Sequence, residues 1–215
     1  MTISSNVAIA SRGLRIVEAP LVRASDETLA GYGRIVTRFD DAEVQVLPWP
    51  TSGRRRLDPG TGLGGGVTVG PFKMRWRGDV LYADNHAVGG HYVTGWARLP
   101  DEASEERSTV ARDRVLTHEA NYHPDGGQVF FPRDGVPFVA LLALAGDEVK
   151  PEDFVAFWFA GDVGVHVDAG VWHQPVYPLR DEAEFDDKQS AVHGCVSVDF
   201  VNEFGCLISI PLRQP

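Results

Sequence analysis

Along most of the chain, apolar and polar positions alternate in short runs broken by glycine and proline. Residues 42–49 (AEVQVLPW), 66–84, 89–99, 108–123, 127–132, 137–145, 164–178 and 193–212 are rich in β-branched and aromatic residues and read as strands. The 23 glycines and 14 prolines are spread along the chain, as the punctuation of many short strands requires. Helical periodicity is scarce. Its best candidate is SDETLAGYGRIV (25–36), with Ser25 capping through Thr28 and Gly31 or Gly33 ending the helix early. PEDFVAFWFA (151–160) predicts a turn at Pro151, then a strand carrying Val155, Phe157 and Phe159. SGRRRLDPGTGLGGG (52–66) reads as a loop whose three arginines either bind an anion or simply face solvent. LRDEAEFDDKQS (179–190) reads as an acidic loop.

These intervals predict an all-β barrel or sandwich. The 215 residues suit a single domain spanning 1–215, in which 1–100 supply N-terminal strands and a variable insertion and 101–215 form a motif-bearing barrel core. A formal net charge of −10 disfavours nucleic acid as a partner, since an acidic surface repels phosphate backbones. No apolar run approaches the roughly 20 residues a bilayer-spanning helix needs, so no membrane partner is expected. The N-terminal stretch has no basic residue before its short apolar patch, which argues against a secretory signal. Cys195 and Cys206 form no CxxC pair, and a reducing cytoplasm is the default compartment.

Candidate chemistry concentrates in two stretches. In VLTHEANYH, strand parity sets Glu119, Asn121 and His123 on one face and Leu116, His118, Ala120 and Tyr122 on the other. Glu, Asn and His in succession do not make a packing face; they meet solvent or line a polar cavity. Pro-Asp-Gly-Gly then turns the chain toward Gln128. HVDAGVWHQP has the same design: a glycine turn, then His173, with Trp172 and Gln174 pointing the other way and Trp172 in the core. Two such histidines suggest neighbouring hairpins at a barrel mouth, a common ligand site. His123, Gln128 and His173 should then share one cavity, with imidazoles within about 8 Å, a loose bound on what a small ligand bridges. His193 shares parity with Cys195, Ser197 and Asp199, on either a cavity wall or a polar outer face. His86, His91, His118 and His166 read as structural.

The spacing resembles the cupin superfamily. Asn121-x-His123, Gln128 and Gly135 occupy the frame of its first motif, and Asp168, Gly170 and His173 that of its second. The resemblance implies a cupin-like β-barrel of the jelly-roll type with an N-terminal extension. It also implies a divalent metal (nickel, zinc, manganese or iron) on His123, Gln128 and His173, or otherwise no cofactor. Asn121 stands where the frame has a metal-binding histidine and Gln128 where it has a carboxylate, which weakens such a site because amide oxygens are poor ligands.

A narrower resemblance is to the ureidoglycolate lyase family. Its H-E-x3-H-P-x-G-x-Q-x-F-x-P element is matched by His118, Glu119, His123, Pro124, Gly126, Gln128, Phe130 and Pro132, and its V-W-H-x-P element by Val171, Trp172, His173 and Pro175. AGYGRIV and VSVDF, ending in Asp199, are similar to an early and a late family element. Asp168 replaces a family histidine, and the 40–100 region is longer than the family's. The resemblance implies cleavage of the C–N bond of ureidoglycolate, or a related small hydroxy acid, to glyoxylate and urea in purine and allantoin breakdown. It makes His123 and His173 the catalytic pair, and Gln128, Asn121, Glu119, Asp168 and Asp199 candidate contacts to a small carboxylate substrate. A metal-dependent cupin isomerase or dioxygenase, or a non-catalytic ligand-binding cupin, is the alternative. Exposed sheet edges in such folds favour a homodimer.

Overall fold

The computed structural model describes residues 13–47, 53, 55–108, 110–191 and 193–215. The arginine-rich loop is therefore covered at Arg55 and Arg56, whereas Arg54 lies outside the described residues, as do residues 1–12 and the end of the strand expected at 42–49. The chain folds into two β-sheets, as the alternating pattern predicts. The larger has ten strands in the order Arg15–Glu18, Cys206–Pro211, Arg114–Thr117, Gly90–Trp96, Val80–Asn85, Val67–Arg77, Glu182–Ser190, Gln128–Pro132, Gly164–Val167 and Gly33–Val36. The smaller runs Val196–Asp199, Glu119–Tyr122, Trp172–His173, Phe138–Ala143, Val155–Phe159 and Leu21–Arg23, with Tyr177–Pro178 also paired to Phe138–Ala143. This is a cupin-like β-architecture. Among the described residues no helix is long and apolar enough to cross a membrane.

Apolar side chains from both sheets meet in one core. Phe138 stacks on Phe159 with ring centroids 4.5 Å apart and meets Phe185 edge-on at 5.3 Å. Tyr122 meets Trp172 edge-on at 4.6 Å, and both are buried.

Four local expectations are corrected. Residues 25–32 make a turn rather than a helix. The Ser25–Thr28 cap is present, each backbone N–H donating to the other's hydroxyl, but Gly31 and Gly33 stop propagation at once. The acidic stretch 179–190 contains a nine-residue strand, Glu182–Ser190, inside the large sheet. Its outward charges are matched by neighbours: Arg133 pairs with Glu184 and Asp186, and Lys73 with Glu184. The segment 108–123 is two strands that break at His118 and belong to different sheets. Residues 200–204 form a short helix inside what reads as continuous strand.

Phe138 touches one aromatic ring from its paired strand and one from the other sheet, so its truncation leaves a cavity that those rings cannot close. Phe138→Ala should cost about 3–5 kcal/mol in urea unfolding; a loss below about 1 kcal/mol would show that this cluster repacks freely.

Candidate functional site

The two stretches singled out in the sequence meet. The turn before His173 is tied to the turn after Tyr122 by Gly170 N–H donating to the His123 carbonyl at 2.9 Å. Strand Glu119–Tyr122 lies between the other two carriers of the site: Asn121 is in register with His173 on one side and with Ser197 on the other. Strand parity then turns Glu119, Asn121 and His123 into a cavity of about 200 Å³, which His173, Gln128 and His193 also line. Trp172 is fully buried on the opposite side, as expected. Gln174 departs from expectation. The strand ends at His173, so alternation stops and Gln174 also lines the cavity, its side-chain amide donating to the Glu119 carbonyl at 2.6 Å.

Three imidazoles cluster here. The His123 ring centroid lies 5.1 Å from that of His173 and 4.4 Å from that of His193. Burial holds all three below the usual imidazole range: His173 and His193 are pushed down to about 3, with His123 adding to the effect on both. All three rings are therefore neutral at pH 7. His123 Nδ1 faces the Gly194 carbonyl at 2.9 Å and His173 Nδ1 the Val171 carbonyl at 2.8 Å. A carbonyl only accepts, so in each neutral ring the proton sits on Nδ1 and the lone pair on Nε2.

Behind His173 lies a buried polar chain that the sequence pattern concealed. His173 Nε2 is 3.3 Å from the Gln128 side-chain amide; the far end of that amide is 2.7 Å from Asp187, and Gln189 donates to the second Asp187 oxygen at 3.1 Å. The Nε2 lone pair requires a donor. In the structure Gln128 Nε2 donates to Asp187 and its Oε1 faces the ring; the reversed amide, which requires a proton on Asp187, would supply that donor. Burial pushes the Asp187 carboxyl up to about 7 against the opposing Gln128 hydrogen bond, so the group titrates near neutral pH.

Glu119 and Asp58 are the carboxylates of the cavity wall. Loss of hydration among the surrounding protein groups raises the Glu119 pKa, and the nearby Asp199 and Asp58 charges add to it, while His118 opposes. Asp58 accepts from the Ser197 hydroxyl at 2.5 Å. Its loop is laced to the 193–195 segment: Asp58 N–H donates to the Cys195 carbonyl, Gly62 N–H to the His193 carbonyl, and Cys195 N–H to the Thr61 hydroxyl. Phe72, Asn85 and Tyr92 complete the wall, so the 40–100 region builds part of the site.

Two expected contacts lie outside this cavity. Asp168 is half-exposed and pairs with Arg34 at 3.7 Å and His166 at 3.1 Å. Asp199 caps the short helix, accepting from the backbone of Val201 and Asn202. Arg55 does not reach into the cavity either: its guanidinium lies over the Trp172 ring and pairs with both oxygens of Glu203. Conversely, His193 and Asp187 belong to the site although the pattern left the first open and hid the second in a presumed loop. His193 is the one non-glycine residue with a left-handed backbone among the described residues, at φ 43°. Strand parity carries no signal for that conformation.

The donor set fits a divalent ion poorly. Both His173 nitrogens and both ends of the Gln128 amide are already engaged, and the same amide bonds His123. Among the described residues no group of three or more His, Cys, Asp or Glu side chains is arranged to hold a metal.

Two variants test this network. A left-handed backbone costs a non-glycine residue about 1–3 kcal/mol, and asparagine tolerates it better than histidine. His193→Asn should therefore melt at or above the parent temperature while turnover falls at least ~10-fold, since an imidazole facing His123 is lost; a clear drop in melting temperature would contradict the strain. For Asp187, the folded pKa exceeds the unfolded one, so its contribution to stability is intact below about pH 4 and is lost as pH rises toward 7. Asp187→Asn stays neutral throughout, so its melting temperature should gain on the parent's across that window; parallel pH profiles would remove Asp187 as the titrating group.

Residues 108–202, a little under half of the chain, match the family model described as ureidoglycolate lyase. A ureidoglycolate lyase of Azotobacter vinelandii is 44% identical over 63 residues, which is 29% of this chain and 38% of that protein. One of Salmonella enteritidis PT4 is 33% identical over 82 residues, covering 38% of this chain and 51% of the relative. The chain thus matches about half or less of the length of these curated relatives. The stretch that carries His118 to Pro132, Val171 to Pro175 and the strand ending at Asp199 is the part of this chain that is similar to ureidoglycolate lyases.

Proposed function

We propose that the protein is a carbon–nitrogen lyase that cleaves ureidoglycolate, or a close relative of it, to a 2-oxo acid and a urea. The observation that carries this reading is the neutral His123 ring in the cavity wall: its Nδ1 proton is fixed on the Gly194 carbonyl, which turns its Nε2 lone pair toward the Gln128 amide and the cavity. Nε2 takes the proton of the carbinol hydroxyl. The C–O bond becomes a carbonyl, the C–N bond breaks, and the electron pair goes to the leaving nitrogen. Glu119, the cavity-wall carboxyl that loss of hydration holds above its usual range, is placed to donate the proton that completes the urea. The proton on His123 then returns to Glu119, and both groups are reset. His173, held by Val171 and Gln128, packs edge-on against His123 and fixes that ring for the proton transfer, and the Asn121 and Gln174 side chains supply amides to the substrate's oxygens. Each proton transfer contributes about 10²–10⁴ in rate. Of the expected substrate contacts, Glu119, Asn121 and Gln128 line the cavity and are retained; Asp168 and Asp199 serve the turn and the helix instead. A divalent ion on His123 remains part of the reading only if chelation abolishes turnover. A homodimer joined through the edge strands Arg15–Glu18 or Gly33–Val36 and a cytoplasmic location complete it.

Purified protein mixed with ureidoglycolate should release glyoxylate and urea, with and without chelator. His173→Ala should cut that release at least ~10²-fold while the fold survives, because its loss exposes a polar cavity rather than the core. Full turnover by the variant would remove His173 from the chemistry. Absence of glyoxylate under both conditions would refute the lyase reading.

A further inference from the structure

The polar cavity does not end at His193. A second, half-open chamber of about 530 Å³ adjoins it, and Thr61, Tyr92 and His193 line both. Its character differs sharply. The inner cavity is lined by histidines, amides and carboxylates, whereas the described walls of the outer chamber carry no charged group: Gly60, Gly62, Gly64, Val88, Gly90 and Ala191 are typical of them. Nearly all of these walls come from residues 59–90, outside the stretch that matches the family model. Pockets for drug-sized ligands run about 300–1,000 Å³. The inner cavity alone falls below that range, and the two chambers together fall within it.

We infer that the outer chamber is a substrate subsite, and that the preferred substrate is an N′-substituted ureidoglycolate bearing an uncharged, largely apolar group on its distal ureido nitrogen. This rests on the lyase reading and deepens it. The orientation follows from solvation. The carboxylate and carbinol need polar partners, which the inner cavity supplies and the outer walls do not. The urea is the leaving group and departs toward the opening, so a substituent on its far nitrogen passes Thr61, Tyr92 and His193 into the chamber. Burial holds the Tyr92 phenol at about 12, so at this boundary it remains a neutral donor that can bond the ureido carbonyl. The glycines keep the chamber wide, and the hydrogen bonds that lace Asp58 and Gly62 to residues 193–195 fix its loop against that boundary.

The test compares ureidoglycolate with N′-butyl-ureidoglycolate, using the intact chain and Val88→Phe, which narrows the outer chamber at a position that does not line the inner cavity. The parent should show a kcat/KM at least ~10-fold higher on the butyl substrate, as expected for burying several methylenes. Val88→Phe should erase that advantage and leave ureidoglycolate cleavage unchanged. Equal or lower kcat/KM on the butyl substrate in the parent overturns the subsite, as does a Val88→Phe effect that is the same on both substrates. Calorimetry with carbamoylglycine and N-butylcarbamoylglycine, which lack the carbinol hydroxyl and cannot be cleaved, separates the two levels. If neither substrate turns over yet the butyl compound binds at least ~10-fold tighter and loses that gain in Val88→Phe, the subsite stands and the lyase reading fails. Equal binding of both compounds removes the subsite whatever the turnover.

Discussion

The site depends on Asn121 having two partners in register, His173 on one edge of its strand and Ser197 on the other. That pairing sets the reach of three separate segments. A strand has a side-chain period of two, so a slip of one residue on either edge would turn its polar set into the core and its apolar set into the cavity. The burial of Ala120, Tyr122, Trp172, Val196 and Val198 holds the register, since each would lose its packing in a slipped sheet. Hydrophobic packing on one face therefore positions chemistry on the other. The Gly170–His123 hydrogen bond then locks the two turns together at the cavity rim.

The low dielectric that secures this register also governs the protons. Burial keeps three imidazoles neutral and moves the titration of the Asp187 carboxyl up to about 7. The Gly194 and Val171 carbonyls accept from the rings, and the Gln128 and Gln189 amides donate to the carboxyl. A glutamine where the cupin frame has a carboxylate belongs to this arrangement. It connects histidine to aspartic acid without adding a charge.

Much of this was legible in the sequence, and the limits are physical. Alternation gave the strands and set Glu119, Asn121 and His123 on one side and Trp172 on the other, because parity is local. It failed where local geometry is irregular. His193 depends on a left-handed backbone that no period encodes. Gln174 follows a strand of only two residues, too short to carry alternation onward. Asp187 sits in a charge-rich run that resembles a solvated loop, yet Arg133 and Lys73 neutralise its outward neighbours and let the run enter a sheet. Asp168 and Asp199 had the right residue type at the right spacing; an ion pair with Arg34 in one case and a helix cap in the other claimed them first.

The outermost strand of the large sheet, Arg15–Glu18, lies parallel to Cys206–Pro211, with Arg15 opposite Cys206. Nearly the whole polypeptide separates the two. Synthesis at about 5–20 residues per second leaves the early strand without its partner for roughly 10–40 s. During that interval Ile16 and Val17 present an open, β-branched edge on the nascent chain, a surface suited to a holding chaperone. Long-range parallel pairing is also slow, because loop closure precedes any gain from contact. Sealing of this edge therefore waits until Cys206–Pro211 has been made, after every motif-bearing strand.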